Sequence, residues 1–168
     1  MKKVLIVIDM QNDFIDGPLG TPEAQAIVPN VKNKIEEYRN RGDEIIFTRD
    51  THTVNYLETN EGKHLPVEHC IAGTDGWQIC FNTYDHLIVN KSTFGYLPWH
   101  LWVGPDMEIE LVGVCTDICV VSNALILKAT CPEVNITVDA SCCAGVTPES
   151  HSAALATMKM CQINVTGE

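Results

Sequence analysis

Apolar positions along the chain fall into two rhythms. Short, nearly continuous apolar runs at Val4–Ile8, Glu44–Thr48, His86–Asn90, Glu108–Val114 and Gln162–Val165 read as strands, as does the alternating Val134–Val138. Continuous apolar centres suit parallel strands covered on both faces. Helical spacing fills the intervals. From about Pro29 to Arg41, Val31, Ile35 and Tyr38 recur at i, i+4 and i+7, and Gly42 is a stop. A second helix is expected from Asp117 through Leu127. A third starts at Pro148-Glu149 and carries Ala153, Ala154, Leu155 and Met158. Such alternation predicts an α/β fold: one doubly wound domain over residues 1–168, with a six-stranded, mostly parallel sheet and helices on both faces. Arg49 to Thr83 shows little periodicity, and an unpatterned stretch of that length in a compact domain is usually functional.

Composition narrows the class of partner. A chain of 168 residues, 45% apolar and 20% charged, fits one folded domain and excludes disorder. Its 11 basic and 22 acidic side chains leave a net charge of −11, which disfavours phosphate backbones and anionic lipid. Neither nucleic acid nor a membrane surface is therefore an expected partner. The apolar run after Met1-Lys2-Lys3 stops at Asp9, too short for a signal peptide, and no run approaches the roughly 18 residues of a membrane span. Eight cysteines without a C-x-x-C pair read as reduced thiols, hence a cytoplasmic protein.

In doubly wound folds chemistry sits beyond the carboxyl ends of the strands, near the point where strand order reverses. Asp9 follows the first strand, Lys91 the third, and Gly113-Val114-Cys115-Thr116-Asp117-Ile118-Cys119-Val120 the fourth. No G-x-G-x-x-G or P-loop pattern is present, so dinucleotide and P-loop readings lose their support. Cys119 is expected in the first turn of a helix, where unpaired N–H groups and the helix dipole would lower its pKa and make it the most reactive thiol. The plain alternative is a small buried hydrophobe. Asp9 and Lys91, at the same sheet edge, would supply a proton acceptor and a positive group.

The long segment holds Asp50, His52, Glu61 and His69, a mixture of carboxylates and imidazoles suited to zinc, iron or manganese. Asp50 and His52, two apart, would face the same way on an extended segment. A solvated acidic loop with two surface histidines is the competing reading, and His64 is a weaker candidate ligand.

Val-Ile-Asp-Met-Gln-Asn-Asp-Phe at 7–14, Lys91 before Ser-Thr-Phe, and Gly-Val-Cys-Thr-Asp-Ile-Cys-Val at 113–120 resemble the isochorismatase-like cysteine hydrolases, and within them the nicotinamidases. The resemblance covers nearly the whole chain. It implies an isochorismatase-like, Rossmann-like fold with Cys119 as nucleophile, Asp9 as its base and Lys91 as the orienting cation. It also implies a cis Val114–Cys115 peptide, with the backbone N–H groups of Cys115 and Cys119 as an oxyanion hole. Asp50, His52 and His69 match positions that hold a divalent metal, zinc first with iron or manganese as alternatives, and Glu61 matches a fourth ligand used by some members. Phe14 matches one wall of the substrate site. Where many nicotinamidases place a second aromatic before the last histidine, this chain has Leu65-Pro66-Val67-Glu68-His69. Tyr96, Trp99 and Trp102 are candidates for a pocket wall or an interface.

The expected activity is hydrolysis of a small amide, nicotinamide to nicotinate and ammonia, through a thioester. The alternatives are a metal-independent amidase of the same superfamily acting on an N-carbamoyl compound and, more remotely, a non-enzymatic receiver-like module. Self-association into a homo-oligomer follows only by analogy with the superfamily.

Overall fold

A computed structural model describes residues 1–168. Six strands, β1 Lys2–Ile8, β2 Glu44–Asp50, β3 Leu87–Lys91, β4 Met107–Val114, β5 Asn135–Ala144 and β6 Asn164–Thr166, form one sheet in the order β3-β2-β1-β4-β5-β6. Every pairing is parallel. The helices are α1 Asn12–Ile15, α2 Pro22–Arg41, α3 Asn60–His64, α4 Val121–Thr130 and α5 Pro148–Met160.

The run at the start of the chain explains the layering. β1 is central and buried from Val4 onward, and successive side chains point to opposite faces. Val4, Ile6 and Ile8 pack with Ala124 and Leu127 of α4 and Leu155 and Met158 of α5. Leu5 and Val7 pack with Val31, Ile35 and Tyr38 of α2. Strand order reverses between β1 and β4, and their carboxyl ends open the crevice in which ligands bind in such sheets.

Two boundaries differ most from the sequence reading. The helix expected from Pro29 begins at Pro22, where Thr21 caps it by accepting from the Ala24 N–H, and Pro29 lies inside it. Both prolines carry the helix-start signature, and the true start is the one with a capping hydroxyl before it. β5 runs six residues beyond Val138. There the Asp139 carboxylate accepts from the Ser141 N–H and hydroxyl, and the register with β4 shifts between Leu111 and Gly113. That irregularity hides the continuing strand behind polar and small residues.

The weakly patterned 49–83 segment is ordered around short elements: a 3-10 turn at Tyr56–Glu58, α3, and isolated bridges of Gln11 to Ile79 and His52 to Ile71.

Candidate active site

Asp9 follows β1 in a left-handed conformation, φ 47°, and is fully buried. Its Oδ1 accepts from the Thr48 hydroxyl at 2.6 Å. The Lys91 ammonium, from the last residue of β3, lies 2.5 Å from Asp9 Oδ2, 3.5 Å from Asp50 Oδ1 and 3.6 Å from the Cys119 Sγ. Its side chain is only 1% exposed. Asp9, Lys91 and Cys119, distant in sequence, thus meet at one sheet edge.

Cys119 is the fourth residue of a π turn, Thr116–Val120, that precedes α4, not a residue in the first turn of a regular helix. Burial and the neighbouring Asp9 charge push its thiol well above the usual value, against the opposing effect of Lys91. The expected low pKa is therefore corrected: removing the thiol from water outweighs any dipole at so short a turn. Asp9 is also raised, by burial, with Lys91 opposing. Burial thus makes both groups weaker acids than they are in water. The Val114–Cys115 peptide is cis.

The second group is built on the end of β2 and the segment after it. His52 Nε2 lies 2.8 Å from Asp50 Oδ2 and 3.6 Å from Glu61 Oε1, while His69 Nε2 lies 3.6 Å and 3.8 Å from the same two oxygens. One ligand atom from each of the four residues falls within 4.8 Å of the others. Ligand distances of about 2.0–2.2 Å give a tetrahedral edge near ~3.4 Å, so these separations fit a four-coordinate transition metal. His69 Nδ1 faces the Val67 carbonyl at 2.8 Å, an arrangement that leaves Nε2 with its lone pair. Charge would fit as well: Asp9 and Asp50 face the Lys91 ammonium, Glu61 adds a third carboxylate beside His52 and His69, and a dication would offset the excess.

Although burial raises the Asp50 pKa, the hydrogen bond with His52, the nearby His69 ring and the Lys91 charge hold its carboxyl well below the usual range. Burial raises Glu61. Burial lowers His69, but the neighbouring Asp50 and Glu61 carboxylates and the Val67 carbonyl outweigh it and raise its pKa. His64 is exposed, its Nδ1 facing the Asn60 carbonyl, and is not one of the four.

Sequence reasoning missed the residues that hold this cluster. Buried Gln11 accepts from the Asp50 N–H at 2.7 Å and donates to the carbonyls of Asp50 and Trp77 at 2.9 Å each. Asp13 accepts from the Cys70 N–H at 2.7 Å, next to His69. Only their place just after β1 pointed to them.

A cavity of about 420 Å³ joins the two groups, with Asp50, Glu61 and His69 at its wall together with Cys115 and Cys119. Phe14 and Leu65 both line it. Phe94, which sequence reasoning left in a strand-end run, lines it as well and supplies an aromatic face that Leu65 does not. Of the other candidate wall residues, Trp99 is fully buried and bonded to Asn123, Tyr96 packs against Trp99 with ring centroids 5.0 Å apart, and Trp102 donates to the Tyr96 hydroxyl. None of the three lines this cavity. No helix is long and apolar enough to cross a membrane.

Comparison with known proteins bears on the family and the fold. A probable inactive nicotinamidase of Arabidopsis thaliana is 30% identical, over 92% of this chain and 87% of its own length. The nicotinamidase of Saccharomyces cerevisiae is 26% identical, over 73% and 80%. The crystal structure of a pyrazinamidase of Pyrococcus horikoshii in complex with zinc matches with a TM-score of 0.88 at 25% identity, covering the whole of both chains. The isochorismatase domain model matches residues 3–168. With the parallel six-stranded sheet, the buried Asp–Lys–Cys group and a domain match over nearly its full length, this chain belongs to the isochorismatase family.

Proposed function

We propose that the protein is a metal-assisted cysteine amidase that converts nicotinamide and water to nicotinate and ammonia. The observation that carries this reading is that one cavity joins Cys119, with Lys91 and Asp9 behind it, to the Asp50, His52, Glu61 and His69 cluster.

Asp9 takes the Cys119 proton as Sγ attacks the amide carbonyl, and the backbone N–H groups of Cys115 and Cys119 receive the developing oxyanion. Lys91 holds Asp9 in place and offsets its charge. Collapse of the tetrahedral adduct breaks the C–N bond, Asp9 returns the proton to nitrogen, and ammonia leaves a thioester on Cys119. Asp9 then takes a proton from water, which attacks the thioester. Nicotinate departs and the thiol is restored with that proton. Asp50, His52, Glu61 and His69 would hold a divalent metal, zinc first and iron or manganese as alternatives. When bound, such an ion supplies a Lewis acid for the lone pair of a pyridine nitrogen. Phe14, Leu65 and Phe94 enclose the ring.

The raised thiol of Cys119 is consistent with this scheme. Proton transfer within a water-poor site generates the nucleophile when substrate is present, in place of a standing thiolate. Family membership weighs against the receiver-like alternative, and the assembled ligand cluster weighs against a metal-independent amidase.

Ammonia release from nicotinamide, pyrazinamide and a panel of N-carbamoyl amides, before and after chelation, tests the proposal. Turnover of the heteroaromatic amides that is lost with metal and regained on adding zinc is expected. Turnover of carbamoyl amides alone, unaffected by chelation, would overturn it.

A further inference from the structure

Asn123 lies in the first turn of α4, fully buried, and its side chain makes four hydrogen bonds. Oδ1 accepts from the Tyr96 N–H at 2.8 Å and from the Trp99 indole N–H at 2.9 Å. Nδ2 donates to the Cys119 carbonyl at 2.8 Å and to the Phe94 carbonyl at 3.2 Å. A primary amide has two donors and two acceptor sites, so this one is saturated. Its partners belong to two parts of the site: the turn that carries Cys119 and the 94–99 segment that carries the Phe94 wall.

A second contact holds the same two parts together. A Cβ built on Gly95 would meet the Ile126 Cδ1 at 2.2 Å, so the segment lies directly against α4 and only glycine fits there without displacing that side chain. A buried cross-link that mates two carbonyls and two N–H groups needs an amide. A carboxylate cannot donate to the carbonyls, and an apolar side chain of similar volume satisfies none of the four groups.

We infer that Asn123 is a positioning residue, which fixes the Phe94 wall relative to the Cys119 turn and so sets where the amide carbonyl stands against the thiol. It touches neither substrate nor reacting atoms. This inference rests on the amidase reading for its kinetic consequence, but the cross-link itself does not.

The experiment compares Asn123→Asp, Asn123→Leu and wild type with zinc supplied, reading ammonia release from nicotinamide and alkylation of Cys119 by iodoacetamide at pH 6 and pH 8, per folded molecule. In Asn123→Asp the new carboxyl retains Oδ1 as an acceptor, and when protonated it donates to one carbonyl. Once ionised, it faces two carbonyl oxygens. The titratable groups near it are Cys119 on its own side and Lys91 and Tyr96 on the 91–99 side, so each rate is taken as a ratio to wild type at the same pH. At pH 8, kcat is expected to fall and KM to rise, with kcat/KM down about tenfold or more, as for the loss of one or two buried hydrogen bonds. At pH 6 the ratio is expected to return to within about threefold of wild type. Asn123→Leu is expected to lose a similar factor at both values.

Kinetics that track wild type at both pH values overturn the inference. So does an Asn123→Asp protein that merely melts at pH 8, which would mark a structural role alone. If Asn123→Leu does not fold, the Asn123→Asp comparison decides. If wild type releases no ammonia from any amide, the amidase reading has failed. The alkylation ratio then decides the inference separately: a ratio that changes between pH 6 and pH 8 sustains it, and a constant one overturns it.

Discussion

The carboxylate of Asp13 offers a way to loosen the proposed metal site without touching any of its four candidate ligands. Asp13 Oδ2 accepts from the Cys70 N–H at 2.7 Å, and Cys70 is fully buried in a left-handed conformation, φ 48°, immediately after His69. Asp13→Ala removes this acceptor and leaves a buried N–H unpaired, at a cost of about 1–3 kcal/mol. If that cost falls on the loop conformation that presents His69, zinc affinity drops roughly tenfold to hundredfold, the range typical of lost outer-shell partners. Gly76 gives an independent route to the same defect. A Cβ there would stand 2.1–2.2 Å from the Asp13 carboxylate atoms, so Gly76→Ala expels the carboxylate from its place. Both variants are expected to weaken zinc binding in competition with a calibrated chelator, and both to speed hydrogen exchange at the Cys70 amide. Zinc affinity within twofold of wild type in both, with the Cys70 amide exposed, would refute the idea that this hydrogen bond positions His69.

Cys119→Ala is expected to abolish ammonia release, and Asp9→Asn to lower kcat by about 10²–10⁴-fold, with zinc content unchanged in both; elemental analysis alongside the assay checks this. His52→Ala and His69→Ala are expected to lose metal and bind nicotinamide poorly while Cys119 remains alkylatable by iodoacetamide in peptide maps. Phe94→Ala is expected to raise KM several-fold with a smaller change in kcat, because it removes a cavity wall and leaves Asp9, Lys91 and Cys119 in place; steady-state kinetics reads the split. Asp139→Asn is expected to destabilise the fold by about 1–3 kcal/mol near neutral pH. Burial raises the Asp139 pKa, but bonds from Lys34 and Ser141 outweigh it and leave the carboxyl below its usual range. The stability it contributes is present above an unfolded value of about 3.9 and lost as pH falls through the folded value, so the Tm gap to wild type should close in acid.

The parts of this fold legible in sequence are those governed by local periodicity. Val4–Ile8 is apolar at every position because both faces of β1 are covered, and such a run has one reading. Thr147-Pro148 opens α5 with a capping box that short-range chemistry specifies by itself. Asp50 and His52 were legible as a pair because side chains two apart on an extended segment share a face, and their atoms lie 2.8 Å apart. The missed features depend on contacts distant in sequence. Pro29 is the exception, because Thr21-Pro22 is itself a local start signal, and the apolar i, i+4, i+7 spacing from Val31 points instead to a start near Pro29. Gln11, Asp13 and Asn123 are polar side chains with partners 66, 57 and 24 positions away, at Trp77, Cys70 and Trp99. The direction of the Cys119 pKa followed from burial, which a turn position does not disclose.

Asp50 explains why the two halves of the site lie so close. Its Oδ1 faces the Lys91 ammonium at 3.5 Å and its Oδ2 faces His52 and His69, so in the proposed mechanism one carboxylate would serve both the metal ligands and the proton-transfer group. Lys91 in turn divides its charge between Asp50 and Asp9, with Asp9 the nearer by 1.0 Å. In a water-poor environment such charges interact far more strongly than at the surface. A cation held by the cluster would draw on Asp50 and weaken its hold on Lys91, which would favour the Lys91–Asp9 pair. The ligand cluster and the proton acceptor are thus set against each other across a single lysine. This accounts for placing a costly buried cation at the end of β3, in register with Asp50 on β2.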